Sequence, residues 1–158
     1  MNSTQTTEEQ QNERTIRTLY SLAEAKSKDT PKFVSMFGDG GYFYDVGAEK
    51  KYYGTDIGVP PENYAIAFPD MHRELYSIYT KNDVVVVELS LNGTHKGDLD
   101  LPEGVVPPTN KEMHTPCCDV FHLKNGKVLS FHCYVAVPVL LKQLGIFKNL
   151  GAAIRKKG

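Results

Sequence analysis

One stretch constrains this chain more than any other: CCDVFHLKNGKVLSFHCYV, from Cys117 to Val135. It reads as a long β-hairpin, with an apolar-rich strand, a Lys-Asn-Gly turn and a second strand. One carboxylate, Asp119, lies inside the first strand, where Asp is depleted and costly to bury unpaired. The turn decides which sheet face it occupies. A two-residue Asn125-Gly126 loop sets Lys124 against Lys127 and Asp119 against His132. A three-residue loop with Gly126 left-handed sets Leu123 against Lys127, Asp119 against Phe131 and Cys117 against Cys133. That one-residue difference moves every side chain to the opposite face. The three-residue register is favoured, because it gathers Phe121, Leu129, Phe131 and Val135 on one side and His122, Ser130, His132 and Tyr134 on the other. The apolar side is then the interior and holds Asp119 with Cys117 and Cys133. It is a pocket wall, or a core with one awkward acid.

At 158 residues the chain is expected to form one domain, residues 1–158, with flexible ends at 1–7 and 150–158. Its hydrophobic content of 41% and charged content of 23% are those of a soluble globular protein. A formal net charge of −1 gives no electrostatic case for nucleic acid, and the basic Arg155-Lys156-Lys157 is too short to reverse that. No apolar run approaches the ~18–20 residues of a membrane span, so no membrane partner is expected. The polar, acidic N-terminus lacks a signal-peptide pattern, and three cysteines make no disulfide framework. Cytoplasmic residence with reduced thiols is the default.

In chain order, Glu8 to Lys28 reads as a helix with Ile16, Leu19, Tyr20, Leu22 and Ala23 as its apolar stripe. Asp29-Thr30-Pro31 signals the start of a second helix, which carries Phe33, Val34, Met36 and Phe37 inward and is broken by Gly38-Asp39-Gly40-Gly41. Tyr42 to Val46 is a short strand with Phe43 and Asp45 sharing one face, and Lys50 to Gly54 is a strand or turn. A third helix spans Pro60 to Phe68. Met71–Thr80 and Asp83–Leu91 form a hairpin across Lys81-Asn82. The proline-rich residues 98–111 are a long loop placed to cover a site. Two strands, Glu112–Leu123 and Lys127–Val135, precede a closing helix at Pro138–Leu144. Helices followed by antiparallel strands define an α+β fold, in which a curved sheet around the N-terminal helices makes a cone with an internal pocket.

Within that pocket Asp119 is the first candidate for acid/base chemistry, because an apolar cavity raises a carboxyl pKa toward neutrality. Asp45 is a second acid for the same cavity, with the alternative of capping its own turn. His95, at a strand end before the covering loop, is a candidate at the mouth. Cys117 and Cys133 are small buried hydrophobes in this setting rather than nucleophiles, since an apolar wall beside a carboxylate disfavours the thiolate. Phe121, Leu129 and Phe131, with Tyr20 and Phe43, are lining candidates. Of His72 and Arg73, strand alternation sends only one inward, and His72 is the candidate. No histidine pair has zinc-ligand spacing with a third ligand in reach, so no metal is expected. No phosphate-binding glycine loop or dinucleotide fingerprint calls for a cofactor.

Several motifs recur in a fixed order: Phe68-Pro69-Asp70, Asn82-Asp83-Val84-Val85-Val86, Gly93-Thr94-His95-Lys96-Gly97, Pro107-Pro108-Thr109, Asp119-Val120-Phe121, Asn125-Gly126-Lys127-Val128 and Leu140 to Gly145. In these the chain resembles the SnoaL-like polyketide cyclases, a branch of the nuclear-transport-factor-2-like, ketosteroid-isomerase-like cone fold, over roughly Phe33 to Gly145. The outer sheet face, with His122 and His132, suits a homodimer interface. The resemblance implies a small cofactor-free enzyme acting on an apolar organic ligand by isomerisation, cyclisation, dehydration or hydrolysis. It also implies departures: the family's acid/base aspartate falls on Cys133, its Gln and His helpers on Cys117 and Asp119, and a pocket Asn on Asp45. The rival reading is a non-catalytic ligand-binding or dimerisation module of the same fold.

Overall fold

The computed structural model describes residues 4–147. The expectations for residues 1–3 and for the basic segment 148–158 lie outside that range. Helix α1 (Thr7–Ser21) starts on a capping box, in which Thr6 accepts from the Glu9 amide at 3.1 Å and the Glu9 carboxylate accepts from the Thr6 amide at 2.9 Å. Residues 4–6 lead into that cap. The same Glu9 carboxylate accepts from the Asn82 amide at 2.8 Å, which fastens α1 to a sheet turn. The helix stops seven residues short of the expected Lys28. Leu22 and Ala23 are buried just past its end, and the Asp29 amide returns to the Leu22 carbonyl at 3.0 Å. Tertiary burial of two apolar residues overrides the helix propensity of the polar stretch after them.

Helix α2 (Thr30–Ser35) is capped by Asp29, whose carboxylate accepts from the Lys32 amide at 3.0 Å, and buries Phe33. Strand β1 (Phe37–Asp45) follows without a break, then β2 (Lys50–Tyr53), a short 3-10 turn over Gly54–Gly58, and helix α3 (Val59–Ala67). The hairpin of β3 (His72–Lys81) and β4 (Val84–Thr94) leads to a small hairpin of β5 (Leu99–Leu101) and β6 (Gly104–Val106). Residues 98–111 therefore carry two strands of their own where a structureless loop is expected from the sequence. Strands β7 (Glu112–Lys124) and β8 (Lys127–Val135) and helix α4 (Val137–Gln143) complete the described chain. The main sheet is curved and unclosed, in the order β2-β1-β8-β7-β4-β3, with every pairing antiparallel except β1 on β8. The fold is α+β, with α1 and α4 packed against the sheet.

The β7–β8 turn corrects the expected register. Asn125 and Gly126 both have positive φ, 51° and 74°, and Lys124 faces Lys127, so the loop has two residues. On its own that would turn Asp119 outward. An unpaired residue in β8, Leu129, then shifts the ladder: Leu123 faces Val128, but His122 faces Ser130. Beyond the bulge Asp119 faces Cys133 and Phe121 faces Phe131. The inner face therefore holds Asp119, Cys117, Phe121, Phe131 and Cys133 as expected, through a different turn and an added bulge, but Leu129 is unpaired at the bulge and Cys117 faces Val135 instead of Cys133.

The bulge has a counterpart in the neighbouring strand. Phe37 pairs with Val128 and Tyr42 with Ser130, so residues 38–41 of β1 loop out beside Leu129. A Cβ on Gly41 would lie 2.8 Å from the carbonyl oxygens of both Gly38 and Val128. Backbone on two sides leaves it nowhere to move. Gly41→Ala is expected to lower unfolding stability by about 1–3 kcal/mol in urea titrations. A parental midpoint would show that this irregularity has slack.

Candidate active site

Two adjoining cavities lie between the inner sheet face and the helices. The inner one, of about 40 Å³, is bounded by Tyr20 and Phe33 on the helices and by Phe43, Arg73, Asp119 and Cys133 on the strands. The outer one, of about 310 Å³, runs from Asp45 and Tyr52 under the β5–β6 hairpin to α4. Pro60 and Tyr64 of α3 border both, so they form the partition between them.

Asp119 is 2% exposed. The Tyr20 hydroxyl donates to its Oδ2 at 2.7 Å and the Cys117 thiol donates to its Oδ1 at 3.3 Å. Burial raises its pKa from 3.8 to about 6, against the opposing pull of the bonds from Tyr20, Cys117 and Cys133 and of the nearby Arg73 charge. Desolvation is the dominant cause, and the carboxyl is left poised near neutrality. Burial and the adjacent carboxylate hold the Tyr20 phenol well above its usual range, so it remains a donor. The Cys117 and Cys133 sulfurs are 3.8 Å apart and both are free thiols. The bond to Cys117 and burial push the Cys133 thiol well up, which disfavours a nucleophilic thiolate.

The sequence candidates do not share one site. Asp119, Tyr20, Phe43, Phe131 and Cys133 meet in the inner cavity. Asp45 lies in the outer one, with its Oδ1 accepting from the Ala48 amide at 3.1 Å, so turn capping and cavity lining coincide in one residue. Burial raises its pKa as well. Cys117 and Phe121 stand behind the wall: Cys117 holds Asp119, and Phe121 packs its ring edge on Tyr20 with centroids 5.8 Å apart. Leu129 sits at the bulge and borders neither cavity.

Two histidines are elsewhere. His95 is 0% exposed, packs on Phe68 with centroids 5.4 Å apart, and pairs its Nδ1 with the Thr109 hydroxyl at 3.0 Å. It anchors the segment around Thr109 and lines neither cavity. His72 points outward and pairs with Glu24 at 2.8 Å. The inward member of that pair is Arg73, whose Nη1 donates to the Ala23 carbonyl at 2.6 Å beside the inner cavity. Alternation flags the choice between them but cannot make it. Tyr64 carries no such flag, since it follows two prolines in a helix of weak amphipathic pattern. No hydrogen bond to its hydroxyl is made among the described residues, and burial with the nearby Cys133 holds its phenol well above its usual range.

The fold and the internal acid define a cone-shaped α+β protein with a buried carboxyl on the wall of its smaller cavity. The family profile for SnoaL-like polyketide cyclases matches residues 62–144, more than half of the chain, and the chain belongs to that family. Among curated proteins none matches by sequence. The chain is similar in structure to a protein from Jannaschia sp. CCS1 assigned to the SnoaL-like polyketide cyclases, at TM-score 0.79 and 17% identity, covering 90% of this chain and 97% of that one. It is similar to IdmH of Streptomyces antibioticus, assigned as a polyketide cyclase, at TM-score 0.71 and 18% identity, covering 85% and 99%. It is also similar to an LEH-like epoxide hydrolase of M. tuberculosis, at TM-score 0.64 and 13% identity, covering 93% and 99%. At these identities the likeness is one of fold.

The raised pKa has a consequence for stability. Between pH 3.8 and about 6 the folded protein keeps the Asp119 proton that the unfolded chain has released, so stability from this group is lost as pH rises through that window. The rise from 3.8 to about 6 corresponds to roughly 3 kcal/mol. The stability of Asp119→Asn relative to the parent is therefore expected to grow by up to roughly 3 kcal/mol between pH 4 and pH 7 in urea titrations. A constant difference across that range would mean that the carboxyl is not desolvated.

Proposed function

We propose that this protein is a small enzyme that moves protons on an apolar, oxygenated small molecule without a cofactor, with Asp119 as the principal acid/base. The reading rests on one observation: a desolvated carboxyl with a pKa of about 6 ends a recess that adjoins a chamber of about 310 Å³. The chamber is within the size range of small-molecule sites. A recess of about 40 Å³ has room for a carbonyl, a hydroxyl or a water but not for a ring. The body of the substrate occupies the chamber, and its reacting end passes Tyr64 and Pro60 to reach Asp119. The carboxylate takes the proton, and the unengaged Tyr64 hydroxyl donates to the oxygen that gains charge. Isomerisation, cyclisation, dehydration and hydrolysis all draw on such a transfer. The direct pairing of Asp119 with Cys133 supports the reading, because it keeps an acid facing the cavity where the family resemblance puts one on the neighbouring strand.

The rival is a binding module, and the bonds to both Asp119 oxygens favour it. Turnover of a β,γ-unsaturated ketone, a terpene epoxide and a poly-β-ketone separates the two. The parent is expected to turn over at least one of them, with kcat/KM rising through pH about 6 as the base loses its proton. Asp119→Asn is expected to lower kcat by about 10²–10⁴-fold. A fully active variant overturns the acid/base role, and parent binding without turnover establishes the module. The outer sheet face, where Tyr76 and Tyr134 are 61% and 46% exposed, is the proposed homodimer surface. Sedimentation is expected to give about twice 17.7 kDa for the parent and a monomer for Tyr134→Glu.

A further inference from the structure

The two cavities differ in charge. The inner one holds Arg73 beside Asp119. The outer one is bordered by three carboxylates from two separate elements: Asp45 at the end of β1, and Asp100 and Glu103 on the β5–β6 hairpin. Its single cation is Lys50, which stands opposite Asp45 in the β1–β2 ladder. The two do not pair: Lys50 Nζ lies over the Tyr52 ring, 4.8 Å from its centroid, and Asp45 makes no ion pair among the described residues. Asp45 is half-buried and held only by its own turn, whereas Asp100 and Glu103 are exposed at the rim. The remaining wall is mostly aliphatic, from Leu99 and Leu101 on the hairpin to Leu140 and Leu141 on α4, with the rings of Tyr52 and Tyr64 and the amide of Asn63.

We infer that the outer chamber takes a ligand carrying a protonated amine on an apolar body, with the ammonium paired to Asp45. The inference rests on the proposed function for the direction of the ligand: the ammonium faces Asp45 and the oxygenated end faces Asp119. Three features recognise such a group. The rim carboxylates concentrate cations at the mouth. The half-buried Asp45 supplies a charge-assisted hydrogen bond where water is scarce. The Tyr52 ring already carries one ammonium, that of Lys50, 4.8 Å from its centroid, and an aromatic wall of this kind attracts a cation where it would repel a carboxylate. Lys50, already parked on Tyr52, does not fill the position.

Calorimetric titration with 4-phenylbutylamine, 4-phenylbutan-1-ol and 4-phenylbutanoate at neutral pH tests this on the intact chain. The amine is expected to bind about tenfold tighter than the alcohol, and the carboxylate more weakly than either. Asp45→Asn is expected to bring amine and alcohol within about twofold, and a cooperative urea transition near the parental midpoint shows that the variant is folded. Asp119→Asn is expected to keep the amine preference. Equal binding of amine and alcohol by the parent, an amine preference that survives in Asp45→Asn, or no binding of any probe to the folded protein overturns the inference. Loss of turnover in Asp119→Asn without any amine preference in the parent leaves the acid/base reading standing and removes only this one.

Discussion

The bond from the Tyr20 hydroxyl to the Asp119 carboxyl joins the first helix to the far wall of the sheet, and much of the architecture follows from it. A carboxyl buried among Phe121, Phe131 and two thiols is costly unless something donates to it. Tyr20 donates from one side, Cys117 from the same strand, and the Arg73 charge acts from a third direction. Tyr20 reaches that position because α1 is fixed at its opposite end as well, where Glu9 and Asn12 both engage Asn82 in the β3–β4 turn. The helix is thus tied to the sheet by polar contacts at its two ends and by Ile16 and Leu19 between them. The cavity roof is held in place by the groups that define its chemistry.

The interior is graded along its length. The inner cavity is lined by an acid, a thiol and an arginine; the outer one is lined by carboxylates, a lysine and a largely aliphatic wall. Tyr64 stands where the two meet, with a neutral hydroxyl and no internal partner among the described residues. Membership in the SnoaL-like family accounts for the container, and the register of β7 on β8 sets Asp119 directly opposite Cys133. A carboxyl on either of two directly paired strand positions addresses the same space.

The secondary structure and the inward face were legible where local chemistry is decisive. The Asp29 cap, the Asn82 turn and the alternation in β3, β4, β7 and β8 need no tertiary information. The end of α1 was not legible, because what stops it is the burial of Leu22 and Ala23. The turn at Asn125-Gly126 shows a subtler limit. Its residues specify a two-residue loop, and the apolar pattern demands the opposite face. Both are right once Leu129 is left unpaired, which the sequence marks with nothing stronger than an extra leucine. Asp119 was recognisable because an acid in an apolar strand is a conflict between levels. Arg73 and Tyr64 create no such conflict, and only assembly of the sheet against α3 brings them to the site.

That unpaired leucine also separates two things a hairpin ordinarily couples. In a regular ladder the length of the loop dictates which way each distant side chain points, so any insertion at the tip is transmitted along both strands. Here a slip joint lies between the tip and the wall that carries Asp119, with a matching run of glycines beside it in β1. The wall's orientation is set by what packs around Phe121 and Phe131, and the tip is free to diverge in length without turning the acid out into solvent.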